Sequence, residues 1–174
     1  MDGELQYDYI HYDSPLGTLT VAAEGEALTA LVIAVQKCEE RHLAGEGRER
    51  ETPVLHQAKT WLDRYFALQR PDPADLPLSP KGSAFQQRMW RELLRIPYGR
   101  TESYGNLAKK LGSSAWALGS AVGRNPLSII IPCHRVLGAD GSLTGYAGGL
   151  ENKEKLLKLE EIYVDKERRK RIED

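Results

Sequence analysis

The chain has 174 residues, 41% of them apolar and 28% charged, enough to fill an ordinary core in one large or two small domains. No run approaches the roughly 20 apolar residues of a membrane helix. The N-terminal MDGELQYDYIHYD lacks the basic-then-apolar order of a secretory signal, so a cytoplasmic location is expected. The net charge of −1 hides an asymmetry: residues 1–80 carry 7 Lys/Arg against 14 Asp/Glu, residues 81–174 carry 17 against 11. A polyanion would meet the second half more readily than the first.

The alternation in YDYIHYDSPLGTLTVAAEGEALTALVIAV, broken at Ser14–Gly17 and Glu24–Glu26, predicts two or three antiparallel strands. CEERHLAGEGRERE is charged and contains glycine, which predicts a loop or frayed helix. Val54, Leu55, Ala58, Trp61, Leu62, Tyr65 and Phe66 share one helical face, and Pro53 marks a helix start. RPDPADLPLSPKGS holds four prolines and is expected to be an extended linker, with the domain boundary inside it: an α/β domain over 1–76 and a second domain over 77–174.

Three helices follow. The first, in SAFQQRMWRELLRI, is capped by Ser83. The second, in TESYGNLAKKLG, is stopped by Gly112. The third, in SSAWALGSAVGRN, is opened by Ser113 or Ser114. The last two form a helix-turn-helix candidate; two simply packed helices are the alternative. LSIIIPCHRV predicts a buried strand stopped by Pro132, with Cys133 at its end. GYAGG is a loop able to approach a ligand closely. The sequence from Leu150 onward predicts an amphipathic helix running into a charged tail, 161–174.

Two cysteines do not make a disulfide-rich scaffold. Cys38 has the character of a small buried hydrophobe, and with His42 it falls short of a metal-ligand set. Cys133 is different. A thiol becomes a nucleophile as its thiolate, which forms beside a base or a positive charge. His134 can act as that base through a bridging water, and a carboxylate must then orient the imidazole. Glu151, Glu154, Glu160 and Glu161 are candidates that spacing alone does not separate. No C-x-x-C is present, and PCHR is not the usual signature of a cysteine protease.

PCHRV, preceded by NP-x-x-III and followed by GYAGG, resembles the O6-alkylguanine-DNA alkyltransferases. FQQRMW, IPYGRTESYGNLA and KEKLLKLE extend the likeness, and DSPLGTLTVAAEGEALTAL is similar to the bacterial constitutive type. Nearly all of residues 1–160 is covered. The resemblance implies an α/β, ribonuclease-H-like first domain and a mainly helical, winged helix-turn-helix-like second one. It implies repair of double-stranded DNA by a monomer, with no cofactor, metal or membrane. A guanine alkylated at O6, or less readily an O4-alkylthymine, would be flipped into a pocket. Cys133 would take its alkyl group irreversibly, in a single turnover.

Carried over by residue, the resemblance makes Cys133 the acceptor, His134 its base and Glu160 the orienting carboxylate. Tyr104 would donate a proton to the leaving base, and Asn125 would brace the turn beside the thiol. Val136 and Cys133 would offer carbonyls to the guanine amine. Tyr146, Ala147 and Gly148 would cover the pocket, and the small Ser128 and Gly148 would leave room for bulky alkyl groups. Ser114, Trp116, Ala117 and Arg124 would meet DNA. Arg135 is assigned to that surface too, or to structural hydrogen bonds. The family carries an arginine on the recognition helix that fills the gap left by the flipped base; here that position is Trp116, and the preceding turn is two residues shorter. Trp116 is the expected wedge, against the alternative that it faces the core and that Arg124 or nothing fills the gap. A non-catalytic lesion-binding relative is disfavoured because such proteins replace the acceptor cysteine. An unrelated Cys-His hydrolase would turn over esters or peptides.

Overall fold

The computed structural model describes residues 6–33, 43, 45–141, 143, 146 and 148–160. Cys38, His42, Ala147 and the tail 161–174 lie outside these. The chain divides into two compact units: residues 1–81 with 126–130, and residues 82–125 with 131–174.

The first unit is a four-stranded sheet with one long helix. Strands β1 (Gln6–Ser14), β2 (Gly17–Glu24) and β3 (Ala27–Ile33) run antiparallel, as the alternation predicts. The register opposes Leu19 to Ile33 and Val21 to Leu31 on one face, and Ala22 to Ala30 on the other. A fourth strand, β4 (Glu46–Glu49), pairs in parallel with β1 and makes the sheet mixed, in the order β3-β2-β1-β4. A loop or frayed helix was expected there. Four residues reading EGRE carry no apolar alternation, so nothing local announces this strand. Helix α1 (Pro53–Phe66) packs on β1, β2 and β3. It begins where Thr52 accepts the Leu55 N–H and Pro53 takes the first helical position, where its missing donor is no loss.

The proline-rich stretch is anchored rather than simply extended. Asp72 caps a 3-10 turn at Pro73–Asp75, and its carbonyl accepts from Trp61 Nε1 at 3.0 Å. Leu28 then exchanges backbone bonds with this segment, donating to Pro77 O and accepting from Ser79 N, each at 2.8 Å.

In the second unit, α2 (Ala84–Leu93) opens with a full capping box: Ser83 Oγ accepts from Gln86 N, and Gln86 Oε1 accepts from Ser83 N. A two-residue strand β5 (Glu102–Ser103) leads into α3 (Tyr104–Leu111), which ends on Gly112 in the left-handed conformation glycine tolerates. Ser114 caps α4 (Ala115–Gly123), which packs on both α2 and α3. Trp90, buried on α2, donates its indole N–H to the Ala121 carbonyl at 3.0 Å. The chain closes with β6 (Val136–Leu137), paired in parallel with β5, and α5 (Leu150–Leu159).

The strand expected over Leu127–Ile131 is not there. Leu127 makes one isolated bridge to Leu31, and residues 128–130 turn. Ile129 sits at φ 74°, a region that costs a β-branched residue about 1–3 kcal/mol and breaks any ladder. Ile130 N bonds Ser128 O at 2.9 Å, closing the turn. A run of buried branched aliphatics suits a strand or a buried loop equally well, and here it is a loop.

Truncating Trp90 to alanine removes both a fully buried ring and the link from α2 to α4. We expect Trp90→Ala to lose about 3–5 kcal/mol in urea unfolding, with the transition of the second unit most affected.

Candidate active site

The site is built on one short turn. Pro132 leaves the buried loop at ψ 63°, and Cys133–Arg135 form a single 3-10 turn closed by the Val136 N–H on the Cys133 carbonyl. The thiol is thus at the head of a 3-10 turn, where a strand end was expected. Three consecutive side chains radiate from it, and all three are buried. A turn of three residues sends successive side chains in different directions, so each finds its own partner.

Asn125 holds the thiol. Its side-chain amide donates to the Ile131 carbonyl at 2.9 Å and to Cys133 Sγ at 3.2 Å. One amide therefore fixes both the entry to the turn and the sulfur. Asn125 is itself 2% exposed, so this geometry does not compete with water.

His134 points to a carboxylate. Its Nε2 lies 2.6 Å from Glu160 Oε2, both side chains being fully buried. Arg135 grips the same carboxylate with Nε at 2.7 Å and one terminal nitrogen at 3.2 Å, a bidentate fork. Its other terminal nitrogen donates to the Ile96 carbonyl at 2.6 Å, and the Tyr98 ring lies 5.7 Å from the guanidinium. The Gly99 N–H adds a bond to Glu160 Oε1 at 3.3 Å. Arg135 is 6% exposed with its guanidinium committed inward; of the two roles read from the sequence it holds the structural one, and the expectation that it meets DNA is corrected.

The protonation states follow. Burial alone would raise the Glu160 pKa, but hydrogen bonds and charge from His134 and Arg135 override it and hold the carboxyl at about 2. Burial lowers the His134 pKa; Glu160 opposes this, while Arg135 and Lys153 add to it. The imidazole is therefore neutral near pH 7. Facing an ionised carboxylate, its Nε2 carries the hydrogen, which leaves the lone pair on Nδ1. Nδ1 is buried and has no hydrogen-bond partner among the described residues. Burial also pushes the Cys133 thiol up; the Asn125 amide, the Lys153 charge and the nearby backbone amides push the other way. A neutral thiol at rest stands beside a neutral imidazole whose basic nitrogen is available.

The other predicted residues take the following places. Tyr104 begins α3 and is half-buried. Tyr146 is half-buried and sets its ring edge-on to His134, centroids 6.5 Å apart. Gly148 is buried, and its carbonyl accepts from Asn152 at 2.8 Å. Ser128 is buried in the first unit, its N–H on the Leu31 carbonyl at 3.2 Å. Val136 O accepts from Lys153 Nζ at 2.6 Å. On α4, Ser114 accepts the Ala117 N–H, Arg124 is exposed at the C-cap, and Trp116 is 83% exposed. Trp116 therefore does not face the core.

Sequence reasoning missed Lys153, Asn152, Tyr98 and Gly99. Lys153 lies on an amphipathic helix, where a lysine ordinarily means a solvated face. Its place in the first turns of α5, where the helix dipole disfavours cations, is the signal that was there to find.

Residues 84–162 match the family "6-O-methylguanine DNA methyltransferase, DNA binding domain", and residues 8–80 match its "ribonuclease-like domain". The chain is 42% identical over 161 residues to a methylated-DNA–protein-cysteine methyltransferase of Haemophilus influenzae, covering 91% of this chain and 89% of that one. It belongs to that family. The constitutive enzyme of Bacillus subtilis is also 42% identical, over 88% of this chain and 95% of its own. Among solved structures, the O6-methylguanine methyltransferase of Mycobacterium tuberculosis superposes with a TM-score of 0.76 at 42% identity, over 88% and 92% of the two chains. A complex of the M. tuberculosis protein with DNA gives a TM-score of 0.77. These matches bear out the fold class and the family read from PCHRV and its flanks.

Glu160 is the residue on which the site's stability turns. Its depressed pKa means that its contribution is fully present above pH 4.5 and is lost as pH falls toward about 2. Glu160→Gln should cost about 3 kcal/mol at pH 7, because Arg135 is left buried without its counter-charge. The gap between variant and parent should narrow through that acid window, as measured by urea unfolding at stepped pH.

Proposed function

We propose that this protein repairs DNA by direct reversal, moving the alkyl group of an O6-alkylguanine onto Cys133. The observation that carries the reading is the Asn125–Cys133 contact beside the His134–Glu160–Arg135 array, in a chain of the methylated-DNA–protein-cysteine methyltransferase family. The damaged base leaves the duplex and enters the site. The Cys133 proton passes through a water to His134 Nδ1, and Glu160 stabilises the imidazolium that results. The sulfur attacks the alkyl carbon in line. An S–C bond forms, the C–O bond breaks, and the electron pair stays on the guanine oxygen. Tyr104 supplies a proton to the departing base. No tetrahedral intermediate arises, so no oxyanion hole is required; what the reaction needs is a thiolate and an acid. The thioether is stable, so each molecule acts once. O4-alkylthymine is a poorer substrate, the protein acts as a monomer, and Cys133 and Val136 offer their carbonyls to the guanine amine under Tyr146, Ala147 and Gly148.

DNA meets the exposed face of α4 through Ser114, Trp116, Ala117 and Arg124. Trp116 is one of two large apolar side chains more than half exposed among the described residues, the other being Leu68. A tryptophan in water at the N-terminal turn of the second helix of a helix-turn-helix is suited to enter a base stack. Stacking against a base is worth about 1–3 kcal/mol, enough to hold the gap open after flipping. Among the described residues no helix is long and apolar enough to cross a membrane.

Two experiments test this reading. After incubation with duplex DNA containing O6-methylguanine, the intact mass should rise by one methyl group, located on Cys133 and absent from Cys133→Ser. An unchanged mass overturns the assignment. Trp116→Ala should slow repair of duplex DNA by at least about fivefold while leaving the rate with free O6-benzylguanine within about twofold. Equal rates on duplex DNA exclude the wedge.

A further inference from the structure

One charged group in the second unit has no place in the mechanism above. Lys153 is fully buried, one turn into α5, with its ammonium on the Val136 carbonyl at 2.6 Å. Both circumstances oppose a cation. Burial removes its hydration, and the N-terminal end of a helix presents positive charge to it. A neutral side chain of the same length would avoid both costs but would take this donor from the Val136 carbonyl. Burial lowers the lysine from its usual value to about 8, and Cys133 is the group that pushes it back up. The coupling is mutual, since Lys153 lowers the Cys133 pKa against the effect of burial.

The geometry brings the two groups to the same turn. The Val136 N–H closes the 3-10 turn on the Cys133 carbonyl, and the Val136 C=O receives Lys153. One residue thus links the thiol-bearing turn to the ammonium. Among the described residues, the titratable and charged groups around this turn include His134 and Arg135 upon it, Glu160 at the end of α5, Tyr98 ahead of β5 and Tyr146 ahead of α5. Arg135 and Glu160 are bound to each other, so the Arg135 charge is directed at the carboxylate. Asn125 gives the sulfur a dipole but no charge.

We propose that Lys153 is a positioning residue of the acceptor site: its ammonium clamps the Val136 carbonyl and supplies the positive charge against which the Cys133 thiolate forms. This deepens the alkyl-acceptor reading and rests on it. It divides the work of activation. His134 removes the proton, and Lys153 sets how readily the proton leaves. The same clamp holds the Val136 carbonyl in the place from which it would meet the guanine amine.

The test is the single-turnover rate of alkyl transfer from free O6-benzylguanine between about pH 6 and about pH 9, for the parent, Lys153→Met and Lys153→Arg. In Lys153→Met the acid limb should move upward by about one unit, with a loss of roughly tenfold below it that recovers as pH rises. Lys153→Arg should keep the limb near its original position. A uniform fall in rate with an unmoved limb makes Lys153 merely structural and overturns the inference. If Lys153→Met fails to fold, the parent answers instead: with 13C-labelled lysine, the Lys153 titration midpoint should fall in Cys133→Ser relative to the parent, and equal midpoints overturn the inference. This second arm needs no alkyl transfer. A parent that takes no alkyl group overturns the repair reading separately.

Discussion

Everything at the active site hangs on one buried carboxylate. Glu160, at the C-terminal end of α5, receives His134, both ends of the Arg135 fork and the Gly99 amide. A carboxylate with so many donors stays ionised although it is buried, because each bond favours the charged form. That fixed negative charge determines the rest. It keeps the hydrogen of His134 on Nε2 and so leaves Nδ1 basic. It holds Arg135 inward and so ties the 3-10 turn to the loop at Ile96. The carboxylate is thus a structural keystone of the second unit, and in the proposed reaction it is also the group placed to stabilise an imidazolium at His134.

A second constraint works on the other side of the turn. Pro132, Cys133, His134 and Arg135 are buried together, and the backbone there has little regular structure to satisfy it. Side chains do that work. Asn125 takes the Ile131 carbonyl, Lys153 the Val136 carbonyl, and Arg135 the Ile96 carbonyl. Two of these acceptors lie on irregular backbone and the third at the start of β6, and side-chain donors are how such buried carbonyls avoid being orphaned. The reactive sulfur is therefore placed by a network whose every member comes from a different stretch of the chain.

How much of this the sequence discloses depends on range. PCHRV and its neighbours are contiguous, so the thiol, the imidazole and the proline before them are legible at once. Alternation gives β1 to β3, and Ser83, Ser114 and Gly112 mark helix ends because caps are local chemistry. The rest is not local. β4 is a strand because β1 lies beside it, and EGRE has no pattern of its own. IIIPC suits a strand by composition, but the left-handed Ile129 and the Asn125 amide make it a turn. Spacing left four glutamates open as partners for His134; only the fold brings Glu160 within 2.6 Å. Lys153 went unnoticed because a lysine on an amphipathic helix looks solvated until the helix is docked.

The burial of Cys133 carries a last consequence for a protein that reacts once. A thiolate exposed at rest would be alkylated or oxidised before it met a lesion, and the molecule would be lost. Burial raises the thiol and protects it, but it also opposes the anion the reaction requires. On the proposed reading the site meets both demands with a buried imidazole on the same turn and donors already in place around the sulfur, so that ionisation needs a proton relay and no rearrangement. Preorganised dipoles and charges are worth most where water is excluded. The same dryness that makes the resting thiol inert therefore strengthens the support its anion receives from Asn125 and Lys153. On that argument the low exposure of Cys133, 3%, belongs to the mechanism as much as the imidazole does.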